Sequence, residues 1–323
     1  MAIAIRAFAA AAFLAGAWPA AAQTAWDMPT PHDETVFQTA NDLRFAEDVR
    51  RATAGTLDIR VHPAGSLFGH DEIADTVTRG LVPIGGFLLS RLATENAVFG
   101  VDSLPYVAQS HDDARRLWQA SRPAVEALLA ERNLSLLYAV PWPGQSLFLT
   151  TEVADPADLE GVALGTYNLA TRRLAEILGM SPIQVETGDL AAAFAASRIE
   201  AMITSPTTGV SSRAWDVASI LIDLRAWFPK SVVVVNTEVL NALPEDQRRA
   251  LLDAAAAAEA RGWEMSAAES EARIATLKEN GMTVTEPSDA LLGAMAEAGR
   301  IMLAEWQEET GEVGADVLAA YGR

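Results

Sequence analysis

Three short runs set an imidazole beside carboxylates: His32-Asp33-Glu34, His70-Asp71-Glu72 and His111-Asp112-Asp113. Imidazole and carboxylate both ligate metals. Adjacent residues do not share a helix face, however, so one such run does not readily close on one ion. Each run precedes a helical pattern, where an aspartate caps free backbone amides and acids complement the helix dipole. Capping is therefore the expected role, and no metal site or cofactor is expected. All four histidines precede residue 112 and there is no cysteine. That excludes disulfides, thiolate metal sites and thiol nucleophiles. The patterns G-x-S-x-G, G-x-G-x-x-G and G-x-x-x-x-G-K do not occur, which removes the nucleophile elbow and the phosphate-cradling loops. With 43 acidic residues in the chain, paired carboxylates carry no information. A binding protein is expected, not an enzyme.

The aromatic residues offer a different chemistry. Trp142, Trp215, Trp227 and Phe228 stand where strand patterns give way to loops. Their rings present flat apolar surface to a ligand, or a π face to a cation. Trp215 lies on a helical pattern with Val217 and Ile220 and is expected in the core.

The elements that must position these side chains alternate in type. Asp33 to Arg51 carries apolar residues at helical spacing, and Leu57 to Val61 alternates as a half-buried strand does. A turn at His62-Pro63-Ala64-Gly65 leads to a helix from Asp71 to Arg79, stopped by Gly80, and then to an apolar strand within Leu81 to Leu89. Near residue 150 the pattern restarts: strands at 146–150 and 162–166, a helix from Asn168 to Leu178, a short strand at 183–185 and a short helix at 190–197. Val232 to Val235 reads as a strand buried on both faces. Pro244-Glu245-Asp246 opens a helical pattern that Asn280-Gly281 closes. Unbroken, that helix is about 50 Å long at 1.5 Å per residue and must lie across two domains or project. The other possibility is two helices broken at Gly262. The alternation indicates an α/β fold, and 323 residues, half of them hydrophobic, suit two domains.

The first 22 residues have a single charge, Arg6, an apolar run and the small residues Ala20-Ala21-Ala22. This is the pattern of a secretory signal peptide cut after Ala22. A soluble protein outside the cytoplasm is expected, with no membrane-spanning segment of its own. The chain carries 24 basic against 43 acidic residues, a net charge of −19. Such a field repels nucleic acid and anionic membrane surfaces.

The order of several short motifs resembles a known family. They are Phe45-Ala46-Glu47-Asp48-Val49, Val61 to Gly69, Val98-Phe99, Leu104-Pro105-Tyr106, Asp158-Leu159-Glu160-Gly161, Ile199-Glu200-Ala201, Trp215-Asp216-Val217 and Leu243-Pro244-Glu245-Asp246. Together they resemble the solute receptors of tripartite ATP-independent periplasmic (TRAP) transporters, of the dicarboxylate-receptor type. The resemblance implies a two-domain periplasmic binding protein fold with a long domain-spanning helix, closing on a small organic solute, and a small and a large membrane permease subunit as partners. It implies residues 23–143 plus 231–270 as one domain, 144–230 plus 271–300 as the other, and 301–323 as a C-terminal helical tail. A ligand-binding sensor without transport would use the same cleft.

The family's binding signature departs here. Members usually carry G-x-K-[IL]-R-V after the D-L-x-G turn, and its Arg pairs with a ligand carboxylate. This chain has Gly165 at that position, and Gly144-Gln145-Ser146 supplies no second Arg. The positions the resemblance assigns to the pocket are Phe68, Leu88, Trp142, Gln145, Gly165, Tyr167, Thr204 and Trp227. A buried carboxylate without a cation is costly, so a neutral or cationic solute is expected. An organic acid remains open if Arg91, Arg172 or Arg213 replaces the missing guanidinium.

Overall fold

The computed structural model describes residues 23–323; the expected signal peptide lies outside them. In chain order the elements are β1 (Thr24–Pro29), α1 (Phe37–Ala52), β2 (Leu57–His62), α2 (Ile73–Thr78), β3 (Ile84–Leu88), α3 (His111–Glu131) and β4 (Leu134–Pro141). They continue with β5 (Ser146–Leu149), β6 (Ala163–Thr166), α4 (Leu169–Ile177), β7 (Ser181–Gln184), α5 (Leu190–Ala195), β8 (Ala201–Thr204), α6 (Pro206–Ser211) and β9 (Ile220–Ile222). The chain ends through β10 (Lys230–Asn236), α7 (Thr237–Ala242), α8 (Glu245–Glu279), β11 (Thr283–Thr285) and α9 (Asp289–Tyr321).

The four valines of β10 are buried in the middle of a three-stranded sheet, antiparallel to β3 on one side and β4 on the other. A continuous apolar run is what a strand covered on both faces requires. Val233 faces Gly86 across one ladder, and β1 and β2 form a parallel pair beside β3. The second sheet has six strands in the order β11-β9-β5-β8-β6-β7. It is mixed: β5 runs antiparallel to β8 and β9, and the other pairs are parallel. Each sheet is the centre of one lobe of a two-domain α/β fold.

The main chain passes between the sheets at residues 142–145 and again at 223–229, and the two crossings are hydrogen-bonded to each other. Trp142 N–H donates to Pro229 O (2.7 Å), Gln145 N–H to Trp227 O (3.0 Å) and Ala226 N–H to Gln145 O (2.9 Å). A paired two-segment link of this kind confines lobe motion to few backbone dihedrals.

α8 is one unbroken helix of 35 residues. It packs on α1 and β4 in the first lobe and on α6 and β11 in the second. Asn41 Nδ2 of the first lobe donates to Ala258 O (3.0 Å), and Thr207 Oγ1 of the second donates to Glu269 Oε2 (3.1 Å) about three turns further on. Gly262 does not break the helix. A Cβ there would stand 2.3 Å from Val140 Cγ2, so the glycine is what lets the helix lie directly on β4. α9 also spans both lobes. Its N-cap Ser288 lies beside Ala154, and Trp306 Nε1 donates to Ala97 O (2.7 Å). Residue 301, where the tail was expected to start, lies inside α9. The departure from helical geometry is at Gly311.

Among the described residues, no helix is long and apolar enough to cross a membrane. Trp215 is not on a helix. It sits in a 3-10 turn, Ala214–Asp216, under the Arg213 guanidinium, and Ile220 belongs to β9. The apolar spacing of that stretch serves a turn followed by a strand.

Candidate functional site

Beside the crossings the cleft between the lobes narrows to a small cavity of about 40 Å³ that opens to solvent. The first lobe contributes His32, His70, Leu88 and Arg91; the second contributes Tyr167, Thr187, Thr204, Ser205 and Thr208; the crossings contribute Trp142, Gln145 and Pro229.

Each side chain is placed by a local feature of the sequence. His32 follows β1, and Asp33 bends the chain there by accepting from Thr35 N–H (2.9 Å). Glu72 accepts from Gly69 N–H (2.9 Å) and fixes the turn that carries His70. Leu88 ends β3, and Arg91 lies on the 3-10 turn Leu89–Thr94 that follows. Tyr167 and the cap residue Asn168 join β6 to α4. Ser205 caps α6, accepting from Thr208 N–H (3.1 Å), with Pro206 at the first helical position.

Capping does not account for the first two acid-rich runs: α1 has Val36 as its N-cap, with no side-chain capping bond from Asp33, and each run brings a histidine to the cleft. Glu72 closes a turn, and its neighbour His70 faces the cleft. His70 Nε2 accepts from Leu88 N–H (3.0 Å), which requires an unprotonated Nε2 and places the ring proton on Nδ1. Burial, then the nearby Arg91 charge, pushes His70 well below the ordinary imidazole range. The same two causes bring His32 down to about 4. Both rings are neutral at pH 7, and His32 meets Trp142 edge to face at 4.8 Å. In the third run, Asp113 accepts from Gln109 N–H while Ser110 caps α3, and His111 bonds Ser266 of α8, away from the cleft.

Among the described residues, Arg91 is the only cationic side chain lining this cavity. Its Nη2 donates to both oxygens of Glu186 (2.9 and 2.8 Å), and its Nη1 donates to Asp71. Its Nε is buried without an acceptor. Tyr167 bridges the second lobe to both crossings: its OH donates to Gln145 Oε1 (3.2 Å) and accepts from Trp227 Nε1–H (3.2 Å). Burial raises the Tyr167 phenol, which stays protonated.

Of the residues singled out from sequence, Leu88, Trp142, Gln145, Tyr167 and Thr204 line this one cavity. Trp227 stands behind Tyr167, fully buried, and reaches the cavity only through that hydroxyl. Phe68, on the loop after β2, is partly buried against a hydrophobic cluster that runs through both lobes and is not among the lining residues. Gly165 does not line the cavity either. A Cβ built there meets Ile199 Cδ1 at 3.0 Å and Met202 Cβ at 3.7 Å, because alternation along β6 turns that position into the second-lobe core. Of the candidate replacement arginines, Arg172 lines the wider mouth of the cleft and Arg213 is exposed and paired with Asp216 (2.8 Å). Arg91 alone reaches the cavity. His32, His70, Thr187, Ser205, Thr208 and Pro229 were not anticipated as lining residues; the pairing of His70 with a strand-end amide has no local sequence signal.

Two α/β lobes, a hydrogen-bonded double crossing and a mixed polar and aromatic cavity between them define a two-lobed solute receptor. The chain belongs to the bacterial extracellular solute-binding proteins, family 7, whose model matches residues 28–310. It is similar to an extracytoplasmic solute receptor of Bordetella pertussis that binds pyroglutamic acid: 36% identity, 93% of this chain and 100% of that chain covered, TM-score 0.92. It is similar also to a TRAP solute-binding protein from a marine metagenome, specific for pyroglutamate and solved with co-purified pyroglutamate: 37% identity, 93% and 99% covered, TM-score 0.91. A solute-binding protein of Albidiferax ferrireducens is 21% identical over 253 residues, covering 77% of this chain and 75% of the relative. The family is one of receptors, in accord with the expectation of a binder and not an enzyme.

Proposed function

We propose that this chain is the periplasmic receptor of a TRAP-type transporter and that its guest is a small monocarboxylate with a neutral polar remainder, pyroglutamate above all. The observation that carries the reading is the Arg91 guanidinium at the cavity wall, with one buried N–H, at Nε, that has no acceptor. A charge-assisted bond to one carboxylate completes that donor. The rest of the wall supplies hydroxyls, an amide, neutral imidazoles and the Trp142 ring, which suit a lactam and an apolar ring edge. Two relatives at 36% and 37% identity bind this compound. The earlier expectation of an uncharged or cationic guest rested on two missing arginines; Arg91 arrives from a different element and replaces them.

In this reading residues 1–22 are a cleaved signal peptide. Residues 23–143 with 231–270, and 144–230 with 271–300, are the lobes that close on the guest. Closure changes the surface shown to the small and large permease subunits. The binding residues are Arg91, His70, Leu88, Trp142, Gln145, Tyr167 and Thr204, with Trp227 positioning Tyr167.

The test is a thermal shift of the chain from residue 23, stripped of bound solute, with pyroglutamate, 2-pyrrolidinone and succinate. Ligand at 100 times its dissociation constant adds about 2.7 kcal/mol of stability. Pyroglutamate should raise Tm strongly, and the other two should not. A shift by 2-pyrrolidinone equal to that by pyroglutamate would take the carboxylate, and Arg91, out of the site.

A further inference from the structure

We propose that Glu186 is the specificity-determining residue of the cleft: by pairing with Nη2 of Arg91 from the opposite lobe, it takes up positive charge that a second guest carboxylate would need and so admits one carboxylate but not two. The inference rests on the reading of Arg91 just given.

Glu186 lies after β7, immediately before the 3-10 turn Thr187–Asp189 whose first residue lines the cavity. Arg91 lies on the other lobe, after β3. The two meet only where the lobes meet, through Nη2 to Oε1 (2.9 Å) and to Oε2 (2.8 Å). Asp71, on Arg91's own lobe, takes Nη1. A guanidinium has five N–H donors in a fixed fork. Here each terminal nitrogen is engaged by a carboxylate, and Nε is the guanidinium nitrogen that has no acceptor.

The charge count follows. One cation faces the cavity, and two protein carboxylates already touch it. The two imidazoles that share the wall are neutral. A guest with one carboxylate satisfies Nε–H. A second carboxylate held in the same inner cavity meets no further cation among its described lining residues, since Arg172 lines only the outer mouth, and desolvating it there is unfavourable. Asp71 is largely exposed and solvated, at 62%, whereas Glu186 is at 39% and Arg91 at 12%. Of the two protein carboxylates, Glu186 therefore has the stronger hold on the guanidinium and is the one whose removal changes what Arg91 offers. Glu186 also makes closure and selection one event, since its bond to Arg91 forms only across the cleft.

The experiment is calorimetric titration of wild type, Glu186→Gln and Glu186→Asp with pyroglutamate and succinate. The readout is the ratio of the two dissociation constants. Gln keeps the shape and removes the charge, so the succinate-to-pyroglutamate ratio should fall by roughly tenfold or more, the scale of one unit charge a few ångströms away at a partly solvated site. Asp keeps the charge and should keep the wild-type ratio, even if both affinities weaken. A ratio unchanged in Glu186→Gln while pyroglutamate still binds overturns the role of Glu186 and leaves the function standing. Wild type binding succinate as tightly as pyroglutamate also overturns it. Wild type binding neither compound while Glu186→Gln gains succinate would support the role of Glu186 and remove pyroglutamate as the guest.

Discussion

The two walls of the cleft are made of different material. The first-lobe wall carries the charge and two of the rings: Arg91, His32 and His70, with Leu88 between them. Two of its polar groups have a neighbour on their own lobe, Arg91 in Asp71 and His70 in the Leu88 amide. The second-lobe wall is mainly hydroxyls, and several are already used locally. Ser205 Oγ caps α6 and lies 3.2 Å from Thr208 Oγ1. In the proposed reading, charge recognition belongs to one lobe, while the other brings neutral hydrogen bonds, the Tyr167 link to the crossings and the Glu186 carboxylate. A guest bound to the first wall alone would be held by its charge; its neutral half would be read only after the lobes meet.

The sharpest way to break that contrast is to remove the charge. Arg91→Met keeps the aliphatic bulk and deletes the guanidinium. Affinity for pyroglutamate should fall about 100-fold or more, since a buried charge-assisted bond contributes on the order of 2–3 kcal/mol and the tie to Glu186 is lost with it. Calorimetry checks this; a loss of less than threefold would mean that the first wall does not read charge. On the second wall the corresponding change is Tyr167→Phe. It strands the Trp227 N–H and Gln145 Oε1 in buried surroundings, at about 1–3 kcal/mol. A lower Tm and a roughly tenfold weaker affinity should follow, because the severed tie joins the second lobe to the crossings. Equal losses in both variants would erase the distinction between a charge-reading wall and a closing one.

How much of this was legible in the sequence divides along the same line. The long helix was: Pro244 opens it and Asn280-Gly281 ends it, and both signals are local. Its continuity through Gly262 was one of two readings, settled by Val140, which lies more than 100 residues away in sequence. Five of the eight residues assigned from the family's motifs reach the cavity, because strand ends and crossings are fixed by the fold. Gly165 does not, since β-strand alternation turns it into the core. Among three spare arginines no local feature favours Arg91. What distinguishes it is Glu186, 95 residues on, a partnership that only the meeting of the lobes creates. β1 went unread because Trp26 and Met28 are its only alternating apolar residues before Pro29, and its partner is the distant β2. Asp33 was expected to begin a helix; α1 starts at Phe37 because Asp33 closes a turn on Thr35 instead.

The smallest effect on binding is expected just behind the first wall, where Asp42 is buried against Tyr138, whose OH donates to its Oδ1 (2.7 Å). Burial raises the Asp42 carboxyl to about 7, against the opposing hydrogen bonds of Tyr138 and Thr30. The folded protein therefore keeps a proton that the unfolded chain gives up near its ordinary value of 3.8. Between those two values the folded state binds more protons, so this residue's contribution to stability is complete at the acid end and declines as pH rises toward 7. The neutral imidazoles of His32 and His70 act in the opposite sense over part of the same range: their contribution is complete above 6.5 and is lost as pH falls. A single melting curve sums both, but Asp42→Asn separates them. The variant should leave pyroglutamate affinity within about twofold, and its Tm relative to wild type should climb steadily from pH 4.5 to 7.5 as the wild-type carboxylate is forced to ionise. A Tm difference that stays constant across that range would mean that Asp42 ionises as readily inside the protein as out of it. The backing of the charged wall would then be as polar as the cleft itself.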